Sequence, residues 1–114
     1  KIFILNNRYM GMVRQWQEFF HGGRYSESYT DSLPDFIKLA EAYGIRGVRA
    51  TQSEDLEKVI SDMIDYDGPV IADICVDEKE NVFPMIPSGA AHNEMKLKDS
   101  DNIATSTKEG KMLV

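Results

Sequence analysis

Ser53-Glu54-Asp55-Leu56-Glu57-Lys58-Val59-Ile60-Ser61-Asp62-Met63-Ile64, then a break at Gly68-Pro69, then Val70-Ile71-Ala72-Asp73-Ile74-Cys75-Val76: this stretch decides the fold. Leu56, Val59, Ile60, Met63 and Ile64 recur at helical spacing, so the first segment is a helix with one apolar face. Ser53 is placed to cap it, and Glu54 and Asp55 sit in the first turn, where the helix dipole favours acids. Gly68-Pro69 stops that helix, and the run that follows is a buried strand.

Upstream, the pattern repeats. Gly47 to Thr51 reads as a strand, made polar by Arg46 and Arg49. Before it, Phe36, Leu39, Ala40 and Tyr43 form a helical stripe, with Pro34 suited to the first turn and Gly44 to the C-terminal cap. Met12, Val13, Trp16, Phe19 and Phe20 mark an earlier helix, closed by His21-Gly22-Gly23 and followed by the polar loop Arg24-Tyr25-Ser26-Glu27-Ser28. Ile2 to Leu5 is a short apolar run stopped by Asn6-Asn7, a buried strand. The order β-α-loop-α-β-α-β predicts an α/β fold with a parallel sheet and covering helices. A strand opening at residue 1, in a sheet of only three, predicts that the natural chain extends upstream. After the turn Pro84-Met85-Ile86-Pro87, the chain reads as a polar surface arm of low intrinsic order.

Composition narrows the classes. The chain has 114 residues, 42% of them hydrophobic, which excludes a disordered or fibrous protein and suits one domain or part of one. The net charge of −6 removes any bulk electrostatic reason to bind nucleic acid. Residues 1–24 are nonetheless basic and 53–80 acidic, the latter reading as a solvated helix face and strand ends without metal-loop spacing. No apolar run approaches the ~18 residues of a membrane span. Cys75 is the sole cysteine, so no internal disulfide is possible; it reads as a small buried hydrophobe in an intracellular chain.

In open α/β sheets, ligands sit beyond the carboxyl ends of the strands. That directs attention to Asn6-Asn7-Arg8-Tyr9-Met10-Gly11-Met12. A carboxamide oxygen suits Mg²⁺ when phosphates supply the remaining charge, Gly11 permits close backbone approach, and a helix N-terminus favours an anion. The same residues also make an ordinary turn, since Asn is a common turn former. On the residues alone, both readings stand. So do two bland ones: Trp16 as a core tryptophan of its stripe, and Met12 as core filler. His21 and His92 read as solvated loop histidines.

The strings Leu5-Asn6-Asn7, Gly11-Met12-Val13-Arg14-Gln15-Trp16-Gln17, Arg24-Tyr25-Ser26, Pro34-Asp35-Phe36-Ile37-Lys38-Leu39-Ala40-Glu41-Ala42 and Pro84-Met85-Ile86-Pro87-Ser88-Gly89 resemble the catalytic (large) subunit of the acetolactate synthase family. The likeness spans about residues 2–95. The resemblance implies that residues 1–95 form the C-terminal half of a thiamine-diphosphate-binding domain and 96–114 a C-terminal tail. It implies thiamine diphosphate and Mg²⁺ as cofactors, with FAD in the full-length enzyme on a domain absent from this sequence. The implied reaction decarboxylates pyruvate and joins the two-carbon unit to a second pyruvate or to 2-ketobutyrate, in branched-chain amino-acid biosynthesis.

Residue by residue, the resemblance implies Asn7 as the side-chain ligand of Mg²⁺ and Tyr9 as the donor of a backbone carbonyl to the same ion. Met10, Gly11 and Met12 resemble the stretch that lies against the cofactor. Trp16, Ser88 and Gly89 resemble the lining of the substrate channel. The resemblance further implies that the motif's opening Gly-Asp-Gly lies upstream and that the activating glutamate belongs to a partner subunit, so that no catalytic acid or base falls in this chain and the chain by itself is expected to be inactive. The implied partners are small 2-ketoacids, further copies of the subunit in a dimer or tetramer, and a regulatory small subunit, without nucleic acid or membrane. The implied location is the bacterial cytoplasm, or an organelle in a eukaryote. Two rivals remain: a different thiamine-diphosphate decarboxylase or carboligase, against which Gln15-Trp16 argues, and a non-catalytic acidic α/β interaction module.

Overall fold

The computed structural model describes residues 1–98 and divides them into two compact units. The first comprises residues 1–8 and 31–78. In chain order it holds β1 (Ile2–Asn6), α2 (Phe36–Ala42), β2 (Arg46–Ala50), α3 (Ser53–Asp65) and β3 (Val70–Cys75); α1 (Gly11–Phe20) belongs to the second unit. The three strands form one sheet in the order β1-β3-β2, and both pairings are parallel, Ile2 opposite Ile71 and Arg46 opposite Val70. The alternation of strand and helix therefore gives the parallel α/β sheet that the sequence predicts.

Period two along the strands sorts their side chains onto two faces. Val48, Ala50, Val70, Ala72 and Ile74 meet Leu56, Val59 and Met63 of α3 in the unit's core. On the opposite face, Gly47 lies against α2, where a Cβ would stand 3.1 Å from both the Ala40 Cβ and the Ile37 Cα. A side chain at position 47 would push α2 off the sheet. β3 is thus covered on both faces, and Val70 to Ile74 are all buried.

Several local expectations change. β1 is an edge strand among the described residues, and Ile2, Phe3 and Leu5 are exposed rather than buried, because α2 and α3 pack on β2 and β3. Pro34 precedes α2 instead of opening it. Asp35 is the N-cap, its carboxylate accepting from the Ile37 and Lys38 N–H groups. The N-cap of α3 is Gln52, with Ser53 one position inside the helix. Of the α2 stripe only Ala40 is buried, and Tyr43 becomes the exposed C-cap. Gly44 does close that helix: at φ +66 its N–H donates to the Glu41 carbonyl while Ile45 N–H donates to Ala40, the paired bonds of a Schellman motif. Cys75 is exposed at the end of β3, not buried.

The second unit comprises residues 9–30 and, among the described residues, 79–98. It holds α1 (Gly11–Phe20), capped at its end by His21 just before Gly22-Gly23. Phe19 and Phe20 pack with Met85 and Phe83 to make its core. The rest of the predicted apolar stripe is not core: Met12, Val13 and Trp16 are 50%, 41% and 40% exposed, whereas Arg14 and Gln15 are buried. The reason is the neighbour. Polar backbone of residues 79–82, not an apolar wall, lies against the Arg14–Gln15 side of the helix. The segment from Met85 is also more ordered than a polar arm: Met85 is buried and pairs antiparallel with Lys96, and a short 3-10 helix, η1 (His92–Glu94), lies between them. Residues 99–114, most of the expected tail, lie outside the described residues.

Candidate functional site

β1 runs parallel to β3, so its carboxyl end is where a ligand is expected. Asn6 there is a builder of the turn. Its Nδ2 donates to Asp73 Oδ1 at 2.9 Å, and its Oδ1 accepts the Arg8 N–H at 3.2 Å, an Asx turn that carries Arg8 to φ +58. Asn7, half-buried, occupies the apex. Asp73 anchors this arrangement from the centre of the sheet. It is 1% exposed, and its second oxygen accepts from Arg49 Nε at 2.8 Å. Arg49 continues to Asp35 at 3.0 Å, so one polar chain links Asn6, Asp73, Arg49 and the N-cap of α2. The Asp73 bond holds the Arg49 guanidinium above its already high range, reinforced by charge from Asp73 and Asp35. Slight burial raises the Asp35 carboxyl, but the Ile37 and Lys38 N–H groups and Arg49 outweigh it and hold that group below the usual range.

Asp73 falls in the acidic stretch 53–80, which on sequence alone reads as solvated. The signal that could have found it was an acid inside a run otherwise apolar from Val70 to Val76, with an arginine in the neighbouring strand. Buried acids of this kind are paired.

The remaining candidates belong to the second unit. Tyr9 pairs with Tyr29 across a backbone bridge, their rings 5.0 Å apart, and the Arg14 guanidinium stands 5.8 Å from the Tyr9 ring centre. Met10 is the N-cap of α1, fixed by its N–H donating to the Ser28 carbonyl at 2.8 Å. No side chain caps this helix and its first turn holds no acid, so its positive end is not neutralised by a carboxylate of its own. Met10 and Met12, half exposed, flank Gly11. Trp16 is held at one edge by Phe20, ring centres 5.1 Å apart, and leaves its indole partly exposed. Ser88 and Gly89 are exposed on the loop between Met85 and Lys96, Gly89 at φ +78 in a turn closed by Ala90 N–H donating to the Pro87 carbonyl. Trp16, Ser88 and Gly89 therefore share one compact unit, while Asn7 lies in the other.

Taken each by itself, these parts suit a metal-bound diphosphate: in the first unit a neutral carboxamide oxygen on a fixed turn, and in the second a helix N-terminus free of acids with exposed thioethers beside a glycine. By contrast, a cavity of about 200 Å³ at the carboxyl ends of β2 and β3 is lined by Cys75 and by Ser53 and Leu56 at the start of α3, a helix whose first turn carries Glu54 and Asp55 and so does not favour an anion.

Residues 1–74 match the family of thiamine pyrophosphate enzymes, C-terminal TPP binding domain. The chain belongs to that family. It is 44% identical over 95 residues to the acetolactate synthase isozyme 2 large subunit of Escherichia coli (strain K12), an overlap covering 83% of this chain and 17% of that protein. Identity to the acetolactate synthase large subunit of Pyropia yezoensis is 47% over 96 residues, 83% of this chain and 16% of the other. The mitochondrial acetolactate synthase of Schizosaccharomyces pombe is 42% identical over 100 residues, 88% and 15% respectively. The chain thus spans only 15% to 17% of the length of these relatives.

Proposed function

We propose that this chain serves, within a longer protein, as the C-terminal half of the thiamine-diphosphate-binding domain of an acetolactate synthase large subunit. Bound thiamine diphosphate supplies the electron sink that lets a 2-ketoacid lose CO₂. The chain's own residues bind and orient. Asn7 would contribute its side-chain oxygen and Tyr9 its backbone carbonyl to Mg²⁺, the first-turn amides of α1 would favour the diphosphate charge, and Met10 and Met12 would present apolar surface to the cofactor. Trp16, with Ser88 and Gly89, shapes the space for the second 2-ketoacid, so that an indole face meets an added methylene. The reading includes small 2-ketoacids as substrates, a homo-oligomer as the working form, and a cytoplasmic or organellar location.

The observation that carries it is α1 itself: its N-terminus lacks an acid and a side-chain cap, and its Met12-Val13-Trp16 stripe is turned outward instead of being used as core. A stripe that does not stabilise its own unit is available for a ligand. The test is Asn7→Ala in the full-length protein, with apoenzyme titrated with Mg²⁺ and thiamine diphosphate and acetolactate assayed in parallel. Both apparent affinities are expected to fall together by at least roughly tenfold, since Asn7 would hold the ion that helps retain the diphosphate. Reconstitution at wild-type concentrations would remove Asn7 from the metal site.

A further inference from the structure

Gln15 is 1% exposed, more deeply buried than any other residue of α1, and no role in cofactor or substrate binding accounts for it. Its carboxamide is fully used. Oε1 accepts the Val82 N–H at 2.7 Å, while Nε2 donates to the Val82 carbonyl at 3.1 Å and to Met85 Sδ at 3.0 Å. The side chain satisfies both backbone groups of Val82 as a neighbouring strand would. Arg14, 2% exposed, fixes the residues before it: Nη2 donates to the carbonyls of Lys79 and Glu80 at 2.8 and 3.2 Å and to Asn81 Oδ1 at 2.6 Å.

Three residues after Val82, Met85 exchanges two backbone hydrogen bonds with Lys96, at 2.9 and 2.7 Å, which closes loop 86–95 at its base. Ser88 and Gly89 stand on that loop. The base is therefore bound to α1 through Gln15, the residue next to Trp16. Apolar packing alone would tolerate small slides of loop against helix; a buried amide with three directed bonds does not, because any slide leaves polar groups unpaired.

We propose that Gln15 is a positioning residue that sets the Ser88–Gly89 loop against the Trp16 indole and so fixes the choice of the second 2-ketoacid. This rests on the reading of Trp16, Ser88 and Gly89 as the substrate-channel wall. Gln15 touches no reacting atom; it acts through the loop.

The experiment uses the full-length enzyme with Gln15→Met, which keeps the volume and removes the paired bonds, and Met85→Leu, which removes only the sulfur acceptor. Trp16→Leu runs beside them. Each is supplied with pyruvate and 2-ketobutyrate together, and the product ratio, the KM for each ketoacid and the thiamine diphosphate affinity are measured. Gln15→Met is expected to cut the preference between the two ketoacids by roughly tenfold or more, through KM for the second ketoacid. Its cofactor affinity and its kcat with pyruvate alone should stay within about twofold of wild type. Met85→Leu should give a smaller change in the same direction, and it carries the test if Gln15→Met fails to fold. Unchanged ratios in both variants, with a changed ratio in Trp16→Leu, would overturn the role of Gln15 while leaving the channel intact. An unchanged ratio in Trp16→Leu would overturn the channel reading, and this inference with it. A uniform fall in cofactor affinity, kcat and both KM-dependent rates would show that Gln15 only supports the fold.

Discussion

Replacing Asp73 with alanine should loosen the carboxyl end of the sheet more than any change at the exposed charges around it. The carboxylate is 1% exposed and accepts from Asn6 at 2.9 Å and from Arg49 at 2.8 Å. Hydrogen bonds to a charged group contribute about 1.5–3 kcal/mol each. Two of them give an upper range of about 6 kcal/mol, to be discounted because the Arg49 side chain is 38% exposed and regains water when its partner is lost. About 3–5 kcal/mol remains, the usual cost of breaking a buried pair from one side. The reporter is the Val76 amide, which donates to the Asn6 carbonyl at 3.1 Å and is protected only while β1 stays on β3. Native-state hydrogen exchange on the full-length protein should show its protection falling by roughly two to four powers of ten. Asp73→Asn keeps one acceptor and loses the charge, so it should fall between wild type and alanine. A loss of less than about tenfold in Asp73→Ala would show that the Asn6–Asp73–Arg49 chain does not hold the turn, and the account of how Asn7 is positioned would fail.

Gly47→Ala should destabilise the first unit by about 1–3 kcal/mol, because the new methyl meets backbone and Cβ atoms of α2 at 3.1 Å and the helix must shift; a denaturation midpoint equal to wild type would mean that α2 is not seated as described. The Asp35 cap gives a pH dependence with a defined sign. Its folded pKa is lowered, so its stabilisation of α2 is complete above the ordinary Asp value of ~3.9 and is lost as the pH falls through the lower folded value. Exchange at the Ile37 and Lys38 amides should be slower than in Asp35→Ala only above that window, and identical protection in the two proteins at neutral pH would refute the cap.

Much of the fold could be read without coordinates. The α3 stripe, the run after Gly68-Pro69 and the strand–helix alternation are local periodicities, and a chain that alternates in this way can bury its apolar faces only in a parallel sheet with helices upon it. The Asn6-Asn7 turn and the Gly44 stop were equally legible, because turn chemistry is set within a few residues. What periodicity cannot report is the neighbour. The stripe on α1 has the spacing of a core face, yet Met12, Val13 and Trp16 stand exposed and Arg14 and Gln15 are buried, because the segment across from them offers backbone carbonyls and an N–H rather than methyl groups. Asp73 lies inside the sheet because Asn6 and Arg49, distant in sequence, arrive beside it to satisfy its charge. Met85 is buried because Lys96 pairs with it and Phe19 and Phe20 pack on it. Local sequence thus decided which segments became strands and helices. Burial of Arg14, Gln15, Asp73 and Asn81 was decided by partners between 24 and 70 residues away, which only the tertiary structure brings into hydrogen-bonding range.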